Sequence, residues 1–177
     1  RLEFHEGLAL VAKDFRRTGW GYIDQQGEYV IEPKFSDGGD FQEGLANIRL
    51  DGKWGYIDRA GRLVIAPQFQ QASHFSEGYA SIMLNEKFGY IDKSGNIVIP
   101  PQFDSAGSFS EGFAPVKQGA KIGYINQDGK LVLAIEADEY EEFSGGIAQV
   151  SVRYKTNYPM KIGYIDTKGR YIWRPRV

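Results

Sequence analysis

The sequence contains no cysteine and few residues of the types that most often carry catalysis or hold metals. Without thiols, disulfides and thiolate chemistry are excluded, and the compartment stays open between a reducing cytosol and an oxidising cell envelope. Histidine occurs only at His5 and His74, which do not share a repeat position, so no histidine triad or metal site is expected. Phosphate-loop, dinucleotide, serine-hydrolase and zinc-protease motifs are missing as well. We expect a protein that is not an enzyme and needs no cofactor.

Long apolar runs and a strong net charge are also missing. No segment approaches the roughly 18 consecutive apolar residues of a membrane-spanning helix, and no basic-then-apolar leader is visible, so no membrane insertion is expected. Lys and Arg total 21 against 23 Asp and Glu, which gives a net charge of −2. Because no chain-wide cationic field attracts phosphates, nucleic acid is not an expected partner.

What the sequence does contain is a repeat. The stretch WGYID at Trp20–Asp24 returns four times, first unchanged and then in variant forms, at intervals of 34, 34, 34 and 40 residues, and a second motif, FxEG, begins at Phe4, Phe41, Phe75 and Phe109, at intervals of 37, 34 and 34. A fixed period of this length indicates a tandem array. We predict a single repeat domain over residues 1–177, with units 4–40, 41–74, 75–108, 109–142 and 143–177.

Each unit contains three short strand patterns. LANIRL alternates apolar and polar residues, as a half-buried strand does. In WGYID the glycine, Gly55 in the second unit, leaves room for an aromatic ring to lie against bare backbone. The run Leu63, Val64 and Ile65 does not alternate, which predicts a third strand covered on both faces.

The segments between the strands predict turns. DxxG, as at Asp58–Gly61, suits a type I turn with a glycine bulge; calcium binding is disfavoured because each loop offers about one ligand. Glu43, just before a glycine, is expected to bond amides of its own turn. Pro67 should end the third strand, and apolar residues at spacing three beyond it predict a helical or 3₁₀ turn.

These elements predict an all-β fold. We expect a tandem repeat array of five three-stranded antiparallel units in an open superhelix. The alternative is a closed five-bladed propeller, which is less expected because 34 residues is short for a four-stranded blade.

The motifs GKWGYID at Gly52–Asp58, VIxPxF at Val30–Phe35 and FSEG at Phe75–Gly78 resemble the WG repeat family, also called KWG repeats, found mostly in bacteria. The resemblance implies an array of small β units that binds something, with no catalytic residues assigned. In the last two units tryptophan is replaced by Ile122 and Ile162. A bacterial cell envelope or secreted location is preferred over the cytoplasm.

The expected binding residues lie in a six-residue insertion of the fifth unit. Tyr154, Lys155, Asn157 and Tyr158 combine aromatic area with adaptable hydrogen bonding, as interfaces do. An extended hairpin tip without a partner is the other interpretation. The acidic connector Asp138–Glu142 is the next candidate; its carboxylates suit a solvated face better than glycoside hydrolysis.

Two function classes remain open. In one, the chain is a noncatalytic module that binds a protein or glycan partner. An exposed aromatic patch that includes Tyr79 and Phe113 would favour it. In the other, it is a structural spacer or assembly element that links domains or copies of itself, with self-association through exposed sheet edges.

Overall fold

The computed structural model describes residues 2–14, 19–135, 137–152 and 161–173. In this part of the chain all regular structure is β-strand, in five separate antiparallel sheets. The strand bounds are, in sheet 1, β1 Ala9–Ala12, β2 Trp20–Ile23 and β3 Tyr29–Phe35; in sheet 2, β4 Asp37–Gly38, β5 Leu45–Leu50, β6 Lys53–Asp58 and β7 Leu63–Phe69; in sheet 3, β8 Gln71–Ala72, β9 Tyr79–Leu84, β10 Lys87–Asp92 and β11 Ile97–Phe103; in sheet 4, β12 Ser105–Ala106, β13 Ala114–Gln118, β14 Lys121–Ile125 and β15 Leu131–Ile135; in sheet 5, β16 Glu139–Tyr140, β17 Ile147–Val152, β18 Lys161–Asp166 and β19 Tyr171–Trp173.

The all-β repeat fold predicted from the sequence is confirmed, with one addition to each of the last four sheets. A two-residue strand, such as β4, pairs with the strand that follows it and makes these sheets four-stranded. The helical or 3₁₀ turn predicted for this connector is wrong. Asp37 pairs with Arg49 and Gly38 with Ile48, because the chain leaves β3 extended and meets the free side of β5 after one residue.

The chain divides into two compact units, residues 1–101 and 102–177. In the first unit, one core cluster joins sheets 1 and 2 and a second joins sheets 2 and 3. In the second unit, Tyr124 of sheet 4 packs with Phe143, Val150 and Ile165 of sheet 5. Each of these clusters draws on two consecutive sheets, so neighbouring repeats stabilise each other, as in stacked repeat proteins.

The strand buried on both faces is the second one, not the third. In β6, Tyr56 points into the cluster with sheet 3 and Ile57 into the cluster with sheet 1, and both are fully buried. The predicted double burial of the third strand is wrong, because β7 is the end strand of its sheet. Leu63 is 53% and Val64 44% exposed, while Ile65 is buried. A continuous apolar run did not distinguish an end strand from a central one.

The glycine of the second strand accommodates backbone, not an aromatic ring. A Cβ on Gly55 would lie 2.5 Å from the Ile65 carbonyl oxygen and 2.7 Å from the Pro67 nitrogen. The pairing of β6 with β7 shifts register here, so the strand bulges toward Gly55. Pro67 therefore lies within β7 at a bulge and does not end the strand as expected.

A tyrosine and a phenylalanine connect the first, second and fourth repeats to the connectors that follow them. Tyr56 meets the ring of Phe75 at 4.9 Å, and its hydroxyl donates to the Ser73 carbonyl at 2.8 Å. Burial raises the pKa of Tyr56, so the phenol stays protonated as a donor. The ring of Tyr22 likewise meets the ring of Phe41 at 4.9 Å, and its hydroxyl donates to the Gly39 carbonyl at 2.7 Å. The recurring tyrosine of GYID is thus a structural anchor.

Candidate functional site

The predicted binding residues Tyr154, Lys155, Asn157 and Tyr158 lie outside the described residues. The strands on either side of them are described: β17 and β18 pair antiparallel up to Val152 opposite Lys161. The predicted site therefore belongs to the connection between these two strands of sheet 5, and it stays a prediction.

The second compact unit, residues 102–177, contains a cleft of about 880 Å³, which we call the connector cleft. One side is formed by Ser105, Ala106 and Gly107 of sheet 4, and the other by the acidic connector Asp138–Glu142 and the adjoining Phe143 and Ser144. The cleft therefore includes the surface that the sequence singled out as the next candidate. Its other side lies 34 residues earlier in the chain, at the same repeat position.

Two end strands line the connector cleft. The strand β12 is the end of sheet 4 and pairs only through Ser105 with Lys117 and Ala106 with Val116. The strand β16 is the end of sheet 5, where Glu139 pairs with Ser151. Because a ladder stops at its end strand, the outward backbone groups of β12 and β16 face away from their own sheets. These edges can offer main-chain hydrogen bonds to another chain.

Charge in the connector cleft is predominantly negative. Asp138, Glu139, Glu141 and Glu142 line it, against the single ammonium of Lys117 among the described lining residues. The Glu142 carboxylate accepts the Ser108 amide at 2.7 Å, and the Glu141 carboxylate accepts the Gln149 side-chain amide at 3.1 Å. These bonds fix two of the carboxylates in position.

Aromatic residues hold the acidic wall in place. The Tyr124 hydroxyl donates to the Glu141 carbonyl at 2.6 Å, and its ring packs 4.7 Å from Phe143 and 6.5 Å from Tyr140. Burial, with smaller effects of Tyr140 and Glu141, raises the pKa of Tyr124. The phenol therefore remains a hydrogen-bond donor, and the connector backbone is anchored at Glu141.

Three further residues considered from the sequence lie in the described part of the chain. Phe113 is half-buried against Phe143, with ring centroids 5.3 Å apart, and Tyr79 is also half-buried. His5 Nε2 lies 3.3 Å from an Asp40 carboxylate oxygen. Within the described ranges, no group of three His, Cys, Asp or Glu side chains is arranged to hold a metal ion.

The DxxG loops adopt the predicted turn. The Asp58 carboxylate accepts the Ala60 amide at 2.9 Å and the Arg62 amide at 3.0 Å, and Gly61 follows with a φ of 76°. The same bonds form at Asp24, Asp92, Asn126 and Asp166. The side-chain oxygens of these turns thus accept backbone amides of their own turn, as expected from the sequence in preference to calcium binding.

Short antiparallel sheets that recur along the chain, with a cleft between connectors in residues 102–177, define a β-repeat protein. The family model described as WG containing repeat matches the chain four times, over residues 20–54, 54–88, 88–121 and 122–155. The chain therefore belongs to the WG repeat family. No curated protein sequence shows significant similarity to it.

Solved structures share the fold at low identity. The chain is similar to Hsv2 of Kluyveromyces lactis, with 9% identity and a TM-score of 0.60 over 97% of this chain and 60% of that one. A eukaryotic initiation factor is 10% identical, with a TM-score of 0.62 over 97% of this chain and 52% of that one. The WD40 domain of Neurospora crassa Pan2 is 12% identical, with a TM-score of 0.54 over 98% of this chain and 64% of that one. The chain thus spans about half to two thirds of these proteins, and the likeness concerns fold alone. Among the described residues, no helix has the length and apolarity to cross a membrane.

Proposed function

We propose that this chain is a noncatalytic binding module that holds an extended, lysine- or arginine-bearing segment of a protein partner in the connector cleft. The observation that carries the proposal is the cleft itself, about 880 Å³ in volume and bordered by two sheet end strands. Its volume falls within the range of about 300–1,000 Å³ typical of ligand pockets.

The strand edges support a peptide over a compact ligand. An extended segment can add main-chain hydrogen bonds to an exposed edge, a common mode of peptide recognition. In the connector cleft such a segment would meet the edge of β12 or β16. A glycan is the alternative partner, and it would bind without a preference for charge.

The carboxylates support a cationic segment. Glu139, Glu141 and Glu142 are exposed on the cleft wall, and charge-assisted hydrogen bonds from lysine or arginine are stronger than neutral ones. Lys117 on β13 of the facing sheet would disfavour an anionic segment. Electrostatic complementarity of this kind mainly sets specificity and association rate.

A pair of labelled peptides tests the proposal by fluorescence anisotropy. One is a decapeptide of alternating lysine and serine, the other of alternating glutamate and serine. We expect the lysine peptide to bind more tightly, and the double variant Glu139→Gln, Glu141→Gln to weaken its binding about tenfold. Glu32→Gln, an exposed carboxylate on β3, is the matched control and should leave binding unchanged. Equal binding of both peptides, or equal loss in the control, would contradict the proposal.

The predicted segment at Tyr154–Pro159 is tested in the same assay. Trimming it to a three-residue turn should weaken binding without unfolding the protein if Tyr154, Lys155, Asn157 and Tyr158 contribute to recognition. Unchanged affinity would restrict the site to the connector cleft. If a neutral glycan binds and neither peptide binds, the glycan alternative is favoured.

The second candidate function, a spacer that associates with copies of itself, is favoured by one observation. The end strands β3, β7, β11, β15 and β19 each expose two adjacent apolar side chains, such as Leu63 and Val64. Against it, Pro33 and Pro67 lie within such strands, and proline lacks the N–H that edge pairing requires. Light scattering after size exclusion distinguishes the two: a monomer at high protein concentration argues against the spacer.

A further inference from the structure

The FxEG motif forms a strained two-residue turn. In the second repeat, Gln42 and Leu45 exchange both backbone hydrogen bonds, at 2.9 and 3.1 Å, so Glu43 and Gly44 are the central pair of a tight hairpin. Glu43 has a φ of 52° and Gly44 one of 86°. Glutamate rarely adopts the left-handed region, yet Glu6, Glu77 and Glu111 have φ values of 51°, 52° and 54°. A strain that recurs in four repeats indicates a compensating interaction.

The glutamate side chain reaches the next repeat, not its own turn as the sequence suggested. Both carboxylate oxygens of Glu43 approach the Gly78 amide, at 3.4 and 3.1 Å. The Gly44 amide lies 3.1 Å from both oxygens of Glu6, and the Gly146 amide lies 3.1 and 2.9 Å from those of Glu111. In Glu6, Glu43 and Glu111 the left-handed conformation thus accompanies a carboxylate bond to an amide in the corresponding hairpin of the next repeat, 35 to 38 residues later.

A basic residue strengthens one of these links. Lys93, the second residue of a DxxG turn, places its Nζ 3.0 Å from Glu43 Oε2 and 3.0 Å from the Glu43 carbonyl oxygen. Its counterpart one repeat earlier, Arg59, lies beside Gly7 in the first FxEG hairpin. Charge-assisted bonds of this kind are about twice as strong as neutral ones.

We propose that Glu6, Glu43 and Glu111 of the FxEG motifs are inter-repeat latches, whose carboxylates couple one hairpin to the corresponding hairpin of the next repeat, and that the Glu43 latch holds while its carboxylate is ionised and is released when it is protonated. The proposal goes beyond the proposed binding function and does not depend on it. A neutral carboxyl accepts weaker hydrogen bonds from the glycine amide and loses its attraction to Lys93. Acid would therefore loosen neighbouring repeats at their FxEG hairpins before the sheets themselves unfold.

The charged surroundings of Glu43 favour the ionised form. Partial burial opposes ionisation, but the Lys93 hydrogen bond, the Gly78 amide, the Lys93 charge and the Glu77 amide together lower the pKa of Glu43 below 4.5. The described contacts place Lys93 of the next DxxG turn and the backbone amide of Glu77 in the facing hairpin at this latch, and the Glu6 carboxylate binds the neighbouring Gly44 amide. A lowered folded pKa means that the latch contributes fully above pH 4.5 and is lost as the pH falls through the folded pKa.

Amide NMR on the full chain tests the latch directly. We expect the Gly78 amide proton shift to titrate with a midpoint below that of an ordinary glutamate, and Glu43→Gln to abolish this titration. Glu43→Gly, which relieves the left-handed strain while removing the carboxylate, should speed exchange of the Gly78 amide by about tenfold or more. The proposal fails if Gly78 titrates unchanged in Glu43→Gln, or if its exchange is unchanged in Glu43→Gly.

Glu86 offers a matched control within the same chain. It also has a positive φ, 62°, at a hairpin tip, and its own amide bonds the Gln70 side chain. Glu86→Gly relieves the same backbone strain without removing an inter-repeat carboxylate bond. It should leave the Gly78 titration and exchange as in the wild type. An equal change at Gly78 in this variant would assign the effect to strain and overturn the latch.

Discussion

At the scale of single residues, the glycine of the second strand lies directly against the backbone of the third strand. The same contact recurs at Gly55 and Gly89, where a Cβ would lie 2.5 Å from a third-strand carbonyl oxygen. A flexible side chain could move away from such a contact, but a carbonyl within a paired strand cannot do so without disturbing the sheet. Any larger residue at these positions should therefore be costly.

Replacing Gly55 by valine measures that cost. The new side chain would meet the Ile65 oxygen at 2.5 Å, the Pro67 nitrogen at 2.7 Å and the Ala66 carbonyl carbon at 2.9 Å. We expect a loss of about 1–3 kcal/mol in the free energy of unfolding, measured by urea denaturation. As a control, Gly52→Asn places a residue that tolerates positive φ where a Cβ meets open space. It should change stability by about 0.5 kcal/mol or less, and an equal effect of both variants would refute the argument.

At the scale of elements, the DxxG turn is a self-contained unit whose side chain can be exchanged in one specific way. Asn126 occupies the aspartate position in the fourth repeat, and its side-chain oxygen accepts the Asp128 amide at 3.2 Å and the Lys130 amide at 3.0 Å. An amide therefore supports the turn without charge. The carboxylate adds sensitivity to pH.

The substitution Asp58→Asn should separate these two contributions. The hydrogen bond from the Arg62 amide and the contacts of the Arg62 side chain lower the pKa of Asp58 below its ordinary value. Desolvation opposes them with a smaller effect than the amide bond. Its stabilisation is then present above the unfolded pKa of about 3.9 and is lost as the pH falls through the folded pKa. We expect Asp58→Asn to fold normally at pH 7 and to lose less stability than the wild type between pH 5 and pH 2, followed by thermal melts. Asp58→Ala should be less stable than Asp58→Asn at pH 7, and equal stability would contradict the turn's role.

The elements also show which parts of the fold could be predicted from the sequence. The hairpin turns could be predicted, because Asp and Gly at fixed positions determine local hydrogen bonds. The third strand could not, because Leu63 and Val64 are as apolar as core residues although β7 is an end strand. The conformation of the connector could not be predicted either. Its apolar residues at spacing three suggested a helical turn, but the spacing arises here from an extended chain that passes between two sheets.

At the scale of the whole molecule, each core cluster described above draws on two consecutive sheets of the same compact unit. Deleting Phe75–Ser108 should therefore leave a folded but less stable protein. The new junction places Phe109 where Phe75 packs on Tyr56, and Gly112 where Gly78 meets Glu43. Circular dichroism and a urea titration test this, and loss of cooperative unfolding would show that coupling extends beyond neighbouring repeats.

The candidate site was only partly visible in the sequence. The acidic run Asp138–Glu142 stood out by composition and now forms one side of the connector cleft. Its facing residues, Ser105 and Ala106, carry no signal of their own. They line the cleft because the repeat period places the same short strand at the end of each sheet. A surface made of equivalent positions in successive repeats is invisible to motif analysis of one repeat.

The joints between sheets have one further consequence. A single residue separates β3 from β4, β7 from β8 and β11 from β12, namely Ser36, Gln70 and Asp104. Such tethers leave no slack, so added residues there would force one end strand off its ladder. The hairpin tips are different, because Gly52 at the tip between β5 and β6 has open space around it. The tip between β5 and β6 is therefore suited to loop grafting: a foreign sequence placed there can vary while the single-residue tethers keep the end strands on their ladders.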